Sequence, residues 1–195
     1  MEKIVITWEE TLHSGKFISQ KAVNYQDKNW DNKSWEYASR ENEWAVATLV
    51  EHTDNNTFVF VEQYRMPVQK RVLELVAGIC DMENSTKDEI LTQEVQEEIW
   101  YSVDSIKYIL STPNSAWLTD EITHLYSTKI SGNASSQQLW ASEEIDVIEV
   151  EKHEVFNFLK EKELSGIYIS KGIYASLALY LYNQSPLAIE SLLAK

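Results

Sequence analysis

Apolar and polar positions alternate with a period of two through most of the chain and change to a helical period in three places. Residues 45–51 (AVATLVE) and 57–63 (TFVFVEQ) are the strongest strand signals. They are joined over His52 to Asn56, where Asp54-Asn55-Asn56 supplies the turn chemistry of a hairpin. Residues 3–9 and 17–25 read as two strands about a Ser14-Gly15 turn, 27–33 as a polar turn, and 34–40 as a short strand. Further strands are expected at 105–111, 122–130 and 147–150. In 122–130 the set Ile122, His124, Tyr126 alternates with Thr123, Leu125, Ser127, and His124 reads as a packed or hydrogen-bonded histidine. Leu73 onward reads as a short strand, a glycine turn at Gly78, a loop and a helix. In that helix Ile90, Leu91, Val95 and Ile99 recur at helical spacing and should face the core. Its start is marked by two overlapping capping boxes, Ser85 with Asp88 and Thr86 with Glu89. Residues 152–162 form an amphipathic helix with Val155, Phe156 and Leu159 inward. Residues 168–184 form a last helix, with Ile173, Leu177, Leu179, Tyr180 and Leu181 covering the sheet, and Gln184 onward is helical or frayed.

Composition narrows the class. The 195 residues are 44% hydrophobic and 25% charged, enough for one compact domain with a small extra lobe. No apolar run is long enough to cross a membrane, and MEKIVITWEE lacks an apolar signal segment. The single cysteine, Cys80, has no internal disulfide partner, which fits a reducing cytoplasm. A net charge of −14 argues against nucleic-acid binding through a basic surface. An anionic substrate would therefore need metals and a few local cations to offset the repulsion.

The chemistry concentrates in the first helix. Glu94, Glu97 and Glu98 stand at i, i+3 and i+4, so their carboxylates should converge on one patch. Such a run is either a solvated acidic face or an oxygen-only site for Mg²⁺ or Mn²⁺.

The ordered motifs around it favour the second reading. Gly78 and Glu94-Val95-Gln96-Glu97-Glu98 resemble the glycine and the Glu-apolar-x-Glu-Glu core of the Nudix box. Glu74-Leu75-Val76-Ala77-Gly78 resembles the segment leading into that box in the ADP-ribose pyrophosphatase branch. Trp35-Glu36 with Arg40, Gln63-Tyr64-Arg65 with Pro67, and Thr112 to Glu121 resemble further segments of that branch, in the same order. Five features depart from the pattern: Glu83, Asn84 and Ser85 give no clean match to the first box glutamate, and Asn114 replaces a glycine of the Thr112–Glu121 segment. The interval from Gly78 to Gln93 is one residue longer, Gln93 stands for the box arginine, and Trp100 stands for the box glycine. A tryptophan there would be strained by about 1 kcal/mol if the helix still ended left-handed, so a different helix end is expected.

The resemblance implies an α/β (α+β) fold: a Nudix-type α/β/α sandwich with a mixed sheet. It also implies an antiparallel β extension at the N-terminus (1–42), used for dimerisation, ahead of the main domain (43–195). The implied activity is Mg²⁺- or Mn²⁺-dependent cleavage of a nucleoside diphosphate sugar, with ADP-ribose first. The alternative is an impaired domain that binds a nucleotide sugar as a sensor. By resemblance, the Ala77 carbonyl, Glu94 and Glu98 hold metal and Glu97 helps. Trp35 stacks on the base, while Arg40, Arg65, Glu74 and Glu121 lie near substrate. Glu143 or Glu144, just before the last strand, acts as base. Beside these roles stand plainer ones: core packing for Trp35, an ordinary ion pair for Arg65, a structural hydrogen bond for Glu74, and a solvated acidic pair for Glu143 and Glu144.

Overall fold

A computed structural model describes residues 4–40, 44–80, 85–134 and 145–184. The chain divides into two compact units. One comprises Met1–Ala45, Ile79–Asp81 and Ser111–Thr123; the other comprises Val46–Gly78, Met82–Leu110 and His124–Lys195.

The first unit is built on an antiparallel sheet of β1 (Val5–Ser14), β2 (Ser19–Gln26) and β3 (Asn32–Ser39). Gly15 closes the first turn by donating its N–H to the Ile18 carbonyl. Trp30, at φ 65°, closes the second. The register shifts between Ile6 and Trp8 and again between Thr11 and His13, where β-bulges re-aim β1. Beyond β3, the Ala38 N–H donates to the Leu118 carbonyl at 2.8 Å, so Ser111–Thr123 runs alongside this strand.

The mixed sheet lies mostly in the second unit. Its strands are β4 (Trp44–His52), β5 (Thr57–Arg65), β6 (Lys70–Glu74), β7 (Val76–Ile79), β8 (Val103–Pro113), β9 (Ile122–Ile130), β10 (Ile145–Glu151) and β11 (Tyr168–Ile169). The hydrogen-bonded order is β11-β6-β5-β4-β9-β8, with β10 also on β5 and β7 also on β4. The pairing of β11 with β6 is parallel and that of β5 with β4, β6 and β10 antiparallel, which makes the sheet mixed. Period two sorts the side chains of β5. Phe58 and Phe60 face a core with Val155, Leu159, Ile173 and Leu177, while Val59 and Val61 face a core with Val95 and Ile99. Helices α2 (Val155–Leu164) and α3 (Lys171–Gln184) thus cover one face, and α1 (Lys87–Ile99) covers the other. This is the expected α/β/α layering.

Helix α1 begins with Thr86 as N-cap. Its hydroxyl accepts from the Glu89 N–H, and the Glu89 carboxylate accepts from the Thr86 N–H at 2.8 Å. Of the two overlapping boxes the chain uses the second. Ile90, Leu91, Val95 and Ile99 are all buried, as the spacing predicts.

Three expectations are corrected. Gly78 lies inside β7, not at a turn. Tyr168 and Ile169 pair with Val72 and Leu73 as β11, so the last helix starts at Lys171. Phe156 and Leu181 are exposed, whereas Phe158 and Tyr180 pack on the core. In β9, Thr123, His124, Leu125 and Tyr126 are all buried, so the alternation there marks two covered faces. The expected frayed end beyond Gln184 lies outside the described residues.

Candidate active site

In the second unit, β7 and α1 bring four expected residues together. Gly78 sits directly beneath Glu94. A Cβ added at Gly78 would fall inside 3.0 Å of Cγ, Cδ and Oε1 of Glu94. The glycine is needed for space, since its φ is not positive. One turn on, Glu98 Oε2 accepts from the Ala77 N–H at 3.4 Å. Both carboxylates are half-buried, Glu94 beside Gly78 and Glu98 beside Ala77. Glu97 is not with them. It is exposed, and its Oε1 accepts from Gln93 Nε2 at 2.7 Å. The three carboxylates therefore do not converge on one patch. Helical rotation separates Glu97 from Glu98 by about 100°, and the Gln93 amide draws it further round. Among the described residues, no three His, Cys, Asp or Glu are gathered closely enough to hold a metal.

The donor set still suits a hard divalent cation. Two carboxylates meet a backbone segment across a space kept clear by a glycine, and both offer oxygen, the ligand such a cation prefers. Ala77, Glu94 and Glu98 could hold such an ion.

The helix ends at Trp100 with φ 62° and ψ 24°, so the left-handed turn is kept although the glycine is gone. The expectation of a different helix end is overturned. Helix geometry and the exit into β8 require αL here, and the local cost falls on the tryptophan.

Arg65 and Glu74 are also brought together. Arg65 Nε and Nη2 both lie 2.8 Å from Glu74 Oε2, across β5 and β6. Their register places them on the same sheet face as Val61, the face that α1 covers. On the opposite face the sequence reading missed a second polar group. Buried Glu62 accepts from Arg71 Nε and Lys162 Nζ, each at 2.6 Å, and Arg71 continues to Asp146. Burial pushes the Glu62 carboxyl up, but Lys162 and Arg71 outweigh it and hold the pKa below its ordinary value. A glutamate inside the apolar run TFVFVE is the signal that marks this group. Burial, aided by the charge of Lys87, keeps the pKa of His124 below its ordinary value, in keeping with a packed neutral histidine.

In the first unit, Trp35 is 48% exposed and so is not a core residue. Its indole Nε1 donates to the Trp117 carbonyl at 2.9 Å, which fixes the ring plane. Arg40 is exposed just past β3. Glu121 precedes β9 and accepts from the Asn114 side chain, while the Asn114 N–H donates to the Glu121 carbonyl at 3.0 Å. Asn114 Oδ1 in turn accepts from Thr123. Asn114, which stands where the resembling segment has a glycine, thus braces Glu121. Glu143 and Glu144 lie outside the described residues.

Comparison with known proteins agrees with this architecture. No family model matches the chain. The chain belongs to the Nudix hydrolase superfamily, whose members generally use divalent cations. It is 30% identical over 171 residues to the Methanol dehydrogenase activator of Bacillus methanolicus, covering 86% of this chain and 90% of that protein. It is 25% identical over 168 residues to the ADP-ribose pyrophosphatase of Bacillus subtilis (strain 168), covering 86% and 87%. A crystal structure of an ADP compounds hydrolase superposes with a TM-score of 0.75 over 94% of this chain and 97% of that one, at 13% identity, a likeness of fold. No helix among the described residues is long and apolar enough to cross a membrane.

Proposed function

We propose that the chain is a phosphoanhydride hydrolase that cleaves the diphosphate of a nucleoside diphosphate sugar, with ADP-ribose the first substrate to test. Mg²⁺ or Mn²⁺ is the proposed cofactor. The observation that carries this reading is the cradle in which Glu94 and Glu98 meet Ala77 and Gly78. A bound divalent cation there supplies charge neutralisation for the diphosphate and lowers the pKa of water toward neutrality. Glu94, Glu98 and the Ala77 carbonyl hold the cation. The Arg65 fork suits phosphate oxygens and is held in place, until substrate arrives, by Glu74. Trp35 offers an exposed ring for base stacking, and Arg40 and Glu121 contribute polar contacts to substrate. A carboxylate at Glu143 or Glu144 accepts the proton of the attacking water. For ADP-ribose the products are AMP and ribose 5-phosphate, one water being consumed. The expected assembly is a cytoplasmic homodimer using the 1–42 extension, with no nucleic-acid or membrane partner.

A second reading is favoured by the relative named as an activator of a methanol dehydrogenase, and by Gln93 and Trp100 at the box positions. In that reading the domain binds a nucleotide sugar and acts on another protein without turnover. Product release from a panel of nucleoside diphosphate sugars, with wild type and Glu98→Gln, separates the two. Turnover lost in the variant supports the hydrolase. Binding by thermal shift without turnover in wild type supports the module and refutes the hydrolase.

A further inference from the structure

Helix α3 is apolar on both of its sides. Ile173, Ser176 and Leu177 are buried, and Tyr180 packs on the core beside them. On the outer side Tyr174, Ala175, Ala178, Leu181 and Tyr182 are all exposed, and the helix has no charged residue beyond Lys171. A helix that is apolar all round belongs in an interior, yet this one leaves an apolar stripe facing outward.

The stripe has an internal symmetry. Counted from Ala178, its members stand at −4, −3, 0, +3 and +4. An antiparallel two-fold crossing at Ala178 sets Tyr174 of one copy opposite the partner's Tyr182, and Ala175 opposite the partner's Leu181. Each contact then occurs twice, as an isologous interface requires. A small side chain lies at the crossing, where two backbones come nearest, and alanine faces leucine on either side of it. The Tyr174 ring is held by its hydroxyl, which donates to Glu163 Oε1 at 2.7 Å. Charge selects the same occupant. The chain carries −14, so a basic partner would be drawn to its acidic surface, whereas a second, equally acidic copy meets least repulsion at a strip without charge.

We propose that the outer face of α3 is a self-association surface on which a second copy docks antiparallel about Ala178. The contact lies outside the 1–42 extension and stands whether or not that extension pairs copies. Five side chains make a small interface, and contacts burying less than about 1,200 Å² in total are weak and transient. Association therefore depends on concentration, and it strengthens with salt, because screening relieves the repulsion between the two bodies.

Sedimentation velocity of the full chain, over a wide concentration range at low and high salt, reads the association as a doubling of mass. Ala178→Glu and Ala178→Lys should each weaken the doubling by at least about tenfold, since each sets like charges together at the crossing. An equimolar mixture of the two should restore it as a mixed pair. Leu181→Glu mixed with Ala175→Lys gives the same readout one turn off the crossing. Met66→Glu, at an exposed turn elsewhere, adds the same charge and should leave the doubling unchanged. Circular dichroism checks that each variant is folded. Where the 1–42 extension already pairs copies, the doubling runs from dimer to tetramer and the mixtures read as before. Doubling that both Ala178 variants retain, or that neither mixture restores, would overturn the proposal. So would a wild type that never doubles while Ala178→Glu lowers its thermal midpoint, which would show the stripe to be covered within its own chain.

Discussion

The sharpest test of the cradle is Gly78→Ala. The added methyl would lie inside 3.0 Å of Glu94, whereas ordinary contact begins at 3.4 Å, so the carboxylate must retreat by more than 0.4 Å (3.4 − 3.0). Ligands to a hard cation tolerate about 0.2 Å. The displaced atoms belong to the far end of a flexible side chain, so the fold can absorb the change and the metal site cannot. Because the φ of Gly78 is not positive, alanine also gains roughly 0.4–1 kcal/mol by restricting the unfolded chain. In a chain of this length that raises Tm by about 2–4 °C per kcal/mol. Mn²⁺ affinity should fall by at least about 10-fold, the lower end of what disturbing a ligand's surroundings costs. Calorimetric Mn²⁺ binding and thermal denaturation on the same preparation separate the two effects. A folded variant that binds Mn²⁺ as wild type does would refute the assignment of Glu94 to the cation. A variant that loses stability and binding together would show Gly78 to be structural.

Three further outcomes follow from single residues. Trp100→Gly should be more stable than Trp100→Ala by roughly 1 kcal/mol in urea denaturation, since only glycine adopts φ 62° without strain; equal stabilities would mean the αL turn relaxes. Thr86→Ala should cost about 1 kcal/mol by the same method through loss of the capping box that starts α1; an unchanged midpoint would show that packing alone sets the helix start. His124 has its pKa lowered from 6.5, so the unfolded chain binds the proton first as pH falls. Its contribution is present above about pH 6.5 and is lost toward the lowered folded value. Thermal midpoints between pH 5 and 7.5 should therefore fall less steeply on acidification for His124→Gln than for wild type, and parallel curves would discount His124.

Legibility tracked the range of the interactions. Helix α1 was readable residue by residue because its burial follows one spacing and its cap is a four-residue code. The strands of β4 and β5 were readable for the same local reason. Phe156 was misjudged because periodicity does not say which flank of a helix meets the sheet; Phe158 takes the inward place. Strand β11 was missed because two residues carry no period, and only Val72 and Leu73, nearly a hundred positions earlier, make them a strand. Motif order singled out Glu94, Glu98, Arg65 and Glu74 as candidates, but not that Arg65 and Glu74 pair with each other. That pairing depends on the register of β5 against β6. Glu97 was grouped with its neighbours by spacing alone, and the helical rotation of about 100° per residue carries it away from Glu98 to the exposed side, where it accepts from Gln93.

The ion pairs have a kinetic consequence. Arg65 is committed to Glu74, Arg71 to Glu62 and Asp146, Lys162 to Glu62, and Lys152 to Glu51. At distances beyond these pairs an approaching anion meets a body of charge −14. Added salt shortens the reach of that repulsion to about 8 Å near physiological ionic strength. Encounter with a diphosphate should therefore quicken as salt is raised, the reverse of the behaviour of enzymes that draw charged substrates in by an opposite field.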